Sequence, residues 1–191
     1  MVRWDAGRMG YVIRPVTADE WQRLKELRLA ALADPVARVA FTETLEAAAS
    51  QPDAFWQRRA LSPDEGGAAL TFVGVAEDGG WGGMVVVLVE EHEEMPQTHV
   101  VGVYVRPEHR GTGLARELFA AAIGWSWDLA EPVVERVRLW VHEANPRAEA
   151  LYRALGFVAT GRTMADPKDA AALEREMALS RSGARKDSSQ G

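Results

Sequence analysis

The stretch VYVRPEHRGTGLARELF, Val103 to Phe119, carries the reading of this chain. Apolar residues that read as a strand run to about Val105, a turn spans Arg106 to Thr112, and a helical pattern begins near Gly113. A helix start leaves about four backbone N–H groups without partners, and the positive end of the helix dipole adds to their field. Such a start accepts phosphate or pyrophosphate, and glycine lets a ligand approach the backbone closely. Arg106, Arg110 and Arg116 would strengthen the field. A tight turn with solvated arginines accounts for this segment equally well when it is taken alone.

Spacing separates the phosphate-binding readings. A P-loop needs a lysine directly after its last glycine, and neither Gly111 nor Gly113 is followed by one. A dinucleotide fingerprint needs three glycines almost directly after the strand; here Arg106 to Arg110 intervene and Arg116 stands at the third glycine position. The pattern that remains is Arg/Gln-x-x-Gly-x-Gly/Ala, matched by Arg110, Gly111, Thr112, Gly113, Leu114 and Ala115.

Upstream, GYVIRPV (Gly10 to Val16) reads as a strand, and Thr17 and Glu20 stand at capping-box spacing before a helix whose apolar stripe is Trp21, Leu24, Leu27 and Ala31. Asp34-Pro35 ends that helix near Ala33, Asp34 to Thr44 reads as a loop, and Phe41 to Leu61 as a second helical region broken at Pro52. From Leu70 three strand-like segments follow in hairpin order, which predicts antiparallel pairing. Downstream, Leu114, Leu118, Trp125 and Leu129 share one face of a helix closed by Pro132, and Val134 to Glu143 is the next strand. Asn145 and Pro146 then supply an N-cap and a first-turn proline, and Gly156 stands where a terminating glycine belongs. FVATGRTM and EREMALS read as closing strands. Residues 1–180 are expected to form one domain and 181–191, rich in Ser, Gly, Arg and Lys, a disordered tail.

Composition narrows the chemistry. The 191 residues include no cysteine, which excludes a disulfide framework, a thiolate zinc site and a cysteine nucleophile. A formal charge of −6 argues against general nucleic-acid binding. The longest aliphatic run, Met84 to Val89, is far too short to span a bilayer, and the start of the chain has no apolar signal segment. The expectation is a cytoplasmic protein without membrane or nucleic-acid partners.

The turn motif, VIRPVTADEW near the start, and NPRAEALYRALGF (Asn145 to Phe157) together resemble the GNAT superfamily of acyl-CoA-dependent N-acetyltransferases. The resemblance covers roughly residues 10–180. It implies an α/β (α+β) fold with a mostly antiparallel, twisted sheet of six to seven strands, about four helices, and a splay between the fourth and fifth strands. It implies acetyl-CoA as co-substrate, with no metal, and an amine acceptor that is a small molecule or a peptide. Many relatives form homodimers, so a homodimer is one possibility, and the sequence leaves the oligomeric state open.

By the same resemblance, the backbone from Arg110 to Ala115 binds pyrophosphate, and the strand edge at Val103, Tyr104 and Val105 binds the pantetheine arm as an added strand would. Asn145 contacts that arm, with Ala148 beside it, and Tyr152 protonates the departing thiolate. Seven residues separate Asn145 from Tyr152, which puts both on nearly one helix face. The bland reading is an N-cap and a core aromatic.

Direct transfer needs a neutral amine, and a lysine-like amine with a pKa near 10.4 costs roughly 4 to 5 kcal/mol to deprotonate at pH 7. Glu43 and His99 are the candidate bases. Glu90 to Glu94, with His92 among them, reads as a solvated hairpin end, His142 as an ordinary histidine, and the tryptophans as packing, with Trp140 the exception because it neighbours the second motif. A non-catalytic acyl-CoA-binding or regulatory protein, transfer of a longer acyl chain, and acylation of an alcohol are the alternative functions.

Overall fold

A computed structural model describes residues 10–90 and 95–181. Its sheet grows from β1 (Val12–Pro15), β2 (Ala69–Val75), β3 (Trp81–Glu90), β4 (Gln97–Val105), β5 (Arg136–His142), β6 (Val158–Asp166) and β7 (Asp169–Ser180). The strand order is β1-β2-β3-β4-β5-β7-β6, and every neighbouring pair is antiparallel except β4 with β5.

The β4–β5 pair decides the architecture. It is joined only at Gln97 with Arg136, Thr98 with Val137 and His99 with Arg138, so β4 has no partner on that side from Val100 onward. On its other side β4 pairs Val101 with Val86 and Tyr104 with Met84, three steps against two, which is a β-bulge. Gly102 sits in the bulge at φ 61°, a conformation that glycine adopts without a steric penalty. A bulge bends its strand, and here it coincides with the point where β4 leaves β5.

Helices cover both faces. One face carries α1 (Trp21–Ala33), α2 (Ala37–Ala40), α3 (Leu45–Ala49) and α4 (Asp53–Ala60), with a core of Leu24, Leu27, Trp56, Val73 and Met84. The other carries α5 (Leu114–Asp128) and α6 (Pro146–Ala154), with Leu118, Phe119, Val137, Leu139 and Phe157 at its centre. Double coverage explains why β3 is a continuous apolar run and does not alternate. Trp56 is completely buried. Its truncation to alanine is expected to lower unfolding stability by about 3–5 kcal/mol, read from the urea midpoint.

The predicted capping box forms: the Thr17 N–H and hydroxyl both donate to Glu20 Oε2, at 3.1 Å each. It opens a turn of 3₁₀ helix at Ala18–Glu20, from which α1 continues to Ala33. Six α-helices stand among the described residues, and four of them, α1, α4, α5 and α6, have eight residues or more. Two sequence expectations are corrected. The segment 34–44 is not all loop but contains α2. The helix α5 stops at Asp128, ahead of Pro132. The helical region expected from Phe41 to Leu61 forms and is broken at Pro52, with α3 started by the Thr44 side chain accepting from the Ala47 N–H and α4 following Pro52. From residue 182 the expected tail lies outside the described residues, as do residues 91–94 of the charged run.

Candidate active site

A cavity of about 930 Å³ opens where β4 and β5 part. It is walled by the open β4 edge, the start of α5, the first two turns of α6, and the segment from α2 through Glu43. Of the residues singled out above, Glu43, His99, Val103, Tyr104, Val105, Arg110, Gly111, Gly113, Leu114, Ala115, Asn145, Ala148 and Tyr152 all line it. Thr112 does not; its hydroxyl donates to the His109 carbonyl at 2.8 Å and holds the turn closed.

The turn is shaped by backbone conformation. Gly111 and Gly113 have φ of 82° and 97°, and no atom lies within 4 Å of where a Cβ would stand on either. Glycine is therefore required by φ and leaves open space at the helix start. Gly113 is also the N-cap of α5 and has no side chain to cap it; the one side-chain acceptor given for that end is the Thr112 hydroxyl, at 3.4 Å from the Leu114 N–H.

The arginines divide their work differently from the sequence expectation. Arg110 folds back, donating from Nε to the Val105 carbonyl at 3.0 Å and from Nη2 to Asp34 Oδ2 at 2.5 Å. Arg106 donates to the Trp81 carbonyl at 2.9 Å. Both brace the turn against the rest of the fold. Burial works against the Asp34 carboxylate, but the Val36 N–H and Arg110 outweigh it and hold its pKa below the ordinary range. Arg116 alone of the three lines the cavity without a hydrogen bond or ion pair to a described residue, and Arg147, which the sequence reading passed over, does the same from α6.

Asn145 caps α6, its Oδ1 accepting from the Ala148 N–H at 3.2 Å, and it also lines the cavity. Tyr152 lies two turns on, packed against Phe119 at 5.4 Å between ring centroids. Its ring is in the core, yet its hydroxyl has no hydrogen bond to a described residue. Burial, with the Glu174 charge acting the same way, pushes the phenol up to about 12. The resting group is the neutral O–H.

The two candidate bases sit in different surroundings. Glu43 Oε2 receives both Nε and Nη2 of Arg28, at 3.0 and 2.8 Å, and Arg59 stands 3.9 Å away. Its carboxylate is engaged in an ion pair. His99 is on β4 at the last pair before the splay, with Nδ1 3.2 Å from Glu90 Oε1. If Nδ1 carries the hydrogen that Glu90 accepts, Nε2 is the lone-pair nitrogen, and it has no partner among the described residues. Burial lowers the His99 pKa, Arg138 acts in the same direction, and Glu90 opposes both.

Glu90 is therefore no solvated hairpin end. It also accepts from Arg138 Nε at 2.7 Å, Arg138 Nη2 at 2.6 Å and Gln97 Nε2 at 2.8 Å, so its geometry is set from two strands besides its own. His142 is buried, its Nδ1 accepting from the Ala144 N–H and its Nε2 lying 3.5 Å from Asp166 Oδ2. It lines the cavity with Trp140 and with Glu174, whose carboxyl burial pushes above the ordinary range. Nothing local marks Glu174 in the sequence; it arrives by pairing with His142 across β5 and β7. Among the described residues no group of three or more His, Cys, Asp or Glu could hold a metal ion, and no helix is long and apolar enough to cross a membrane.

Comparison with known proteins accords with this geometry. No curated protein sequence matches the chain. Solved structures similar in fold include Arabidopsis thaliana NAA60 in complex with a bisubstrate analogue, 17% identical with a TM-score of 0.66 over 91% of this chain and 99% of that one. The Vibrio cholerae spermidine/spermine N-acetyltransferase SpeG, in mutant forms, is 18% identical with a TM-score of 0.64 over 90% of this chain and 95% of that one. A GNAT-family acetyltransferase from Streptococcus pneumoniae is 19% identical with a TM-score of 0.62 over 90% of this chain and 100% of that one. The family model described as Acetyltransferase (GNAT) family matches residues 28–157, from the middle of α1 to the end of the NPRAEALYRALGF segment, and the chain belongs to that family.

Proposed function

We propose that this chain transfers an acetyl group from acetyl-CoA directly to a primary amine, with both substrates bound in the cavity between β4 and β5. The observation that carries the reading is Tyr152: a buried side chain whose neutral hydroxyl has no partner among the described residues, it shares one cavity with the glycine start of α5 and an open strand edge. The residues present suit the donor. The α5 start, the open space at Gly111 and Gly113, and the unpaired Arg116 and Arg147 together suit a pyrophosphate with further phosphate nearby. The edge of Val103, Tyr104 and Val105 suits an extended arm that hydrogen-bonds like a strand.

Acetyl-CoA supplies an activated thioester when bound. The chain's own groups do the rest. A backbone N–H near Val103 or Tyr104 polarises the carbonyl. His99, through Nε2 or one water, takes the proton that the amine must lose, and Tyr152 hydrogen-bonds the departing sulfur. Tyr152 near 12 is a weaker acid than an alkyl thiol near 8.5, so outright transfer from the phenol is uphill by roughly 5 kcal/mol. The phenol thus steadies the developing thiolate as an O–H donor, and the proton released by the amine balances the reaction.

The test is release of free thiol from acetyl-CoA across a panel of amines, including peptide N-termini, polyamines, amino acids and aminoglycosides. Tight acetyl-CoA binding with no turnover on any amine would favour the non-catalytic binding protein. The base assignment has its own test. A base must be unprotonated, and the folded-state pKa of His99 is depressed, so kcat/KM is expected to stay level down to about pH 6.5 and to fall only below it. In His99→Gln that acid limb should vanish while kcat falls about 100-fold; an unchanged limb would remove His99 from the role.

A further inference from the structure

One part of the cavity wall is built from α1, the segment after α2, and α4, and its charges do not balance. Arg28 comes from α1, Glu43 from the segment after α2 and Arg59 from α4, and all three line the cavity. Arg28 gives Nε and Nη2 to a single oxygen of Glu43, and the nearest nitrogen of Arg59 is 3.9 Å from that same oxygen. Two guanidinium groups thus share one carboxylate, leaving one positive charge over.

The hydrogen bonds are also incomplete. The Arg28 side chain is 7% exposed, and its Nη1 is buried with no hydrogen-bond partner among the described residues. Phe41 covers it, with the guanidinium carbon 4.5 Å from the ring centroid. Nη1 lies toward the β4 bulge, 3.9 Å from where a Cβ on Gly102 would stand. A buried donor without an acceptor is destabilising by about 1–3 kcal/mol. Burial depresses the Arg28 pKa and the neighbouring Arg59 adds to the depression, the mark of two cations held close. A ligand carboxylate relieves both faults at once: it supplies the missing negative charge and an acceptor for Nη1. Arg59, 30% exposed, is the outer contact and Arg28 Nη1 the inner one.

We propose that the acceptor amine carries a carboxylate on its own skeleton, as an amino acid does, and that Arg28 and Arg59 bind that carboxylate beside the β4 bulge. The proposal rests on the amine-acetyltransferase reading above and specifies its acceptor. In the transfer a bond forms between the amine nitrogen and the acetyl carbon, the carbon–sulfur bond breaks, and the proton lost by the amine ends on the coenzyme A thiol. The carboxylate takes no part in that exchange and serves only to seat the amine. The same wall disfavours a polyamine, because its one carboxylate is already held by Arg28.

The experiment measures kcat/KM by thiol release for matched acceptors: lysine, arginine and phenylalanine, against cadaverine, agmatine and phenethylamine, and against the amino-acid methyl esters. The esters control for amine basicity, since esterification lowers the amine pKa and removes the carboxylate charge. The free acids are expected to exceed both amines and esters by about 10- to 100-fold, mostly through KM, as charge-assisted hydrogen bonds imply. In Arg59→Gln that advantage should collapse to about twofold or less; Arg28→Lys, which keeps the charge and loses the fork, should reduce it as well. Replacing Arg28 also strips Glu43 of its partner, so Arg59→Gln carries the decision. Amines or esters equal to the free acids, or a preference for polyamines, overturn the inference and leave the acetyltransferase reading standing. An acid preference that survives both substitutions overturns the assigned site. No turnover with any acceptor overturns the reading and the inference together.

Discussion

Tyr152→Phe is expected to lower kcat by about 100- to 1,000-fold while leaving acetyl-CoA affinity within about twofold of the unaltered protein. The substitution removes one oxygen and keeps the ring, so the contacts with Phe119 and Phe157 remain and the core loses no volume. No protein hydrogen bond is broken, because the hydroxyl makes none to a described residue. What goes is a single donor aimed into the cavity, and a donor that meets charge only as the sulfur departs acts on kcat more than on binding. Steady-state kinetics with a saturating amine, beside calorimetric titration of acetyl-CoA, separates the two quantities. Unchanged turnover would remove Tyr152 from the reaction and return it to packing.

Gly113→Glu is expected to weaken acetyl-CoA binding by at least about 100-fold in a chain that remains folded. Two effects act together. At φ 97° any side chain is strained, and a carboxylate at the start of α5 occupies the position and the field that a pyrophosphate needs. Gly113→Ala separates them, since it carries the strain without the charge. Its loss should be the smaller by about tenfold. A carboxylate can act as a cap for the helix itself, so the glutamate variant need not be less stable than the alanine one even though it binds more weakly. Unchanged affinity in Gly113→Glu would place the phosphates elsewhere.

Glu43 and His99 show how the fold separates two residues that the sequence leaves equal. Both were read as bases from their places in the chain, and both do line the cavity. Yet Glu43 is tied to Arg28, whereas His99 keeps one nitrogen without a partner among the described residues. The difference comes from residues far away in sequence: Arg28 on α1 for the one, Glu90 on β3 and Arg138 on β5 for the other. Glu90 makes the same point in reverse. In the sequence it heads a run of charges and reads as solvated; in the fold, pairing of β3 with β4 and of β4 with β5 brings Gln97, His99 and Arg138 around it.

What was legible from the chain alone is what depends on a few neighbouring residues. The glycines of the turn, the Thr17–Glu20 box, the Asn145 cap and the helix breaks at Asp34 and Pro52 follow from backbone preferences and short-range hydrogen bonds, and each stands where the residues placed it. The fold class followed from the resemblance that the Arg110–Ala115 turn motif and the Asn145–Phe157 segment carry, and hairpin order added the antiparallel pairing of the early strands. Tertiary structure alone decided the insertion of β7 between β5 and β6, the length over which β4 and β5 stay paired, the tethering of Arg106 to the Trp81 carbonyl and of Arg110 to Asp34, and the meeting of Arg28, Glu43 and Arg59. The physical reason is that strand register and side-chain pairing between distant segments are settled by which surfaces can be buried together. No window of sequence holds both halves of such a pair, and so the glycine turn could be read in the residues while the meeting of Arg28, Glu43 and Arg59 had to be seen folded.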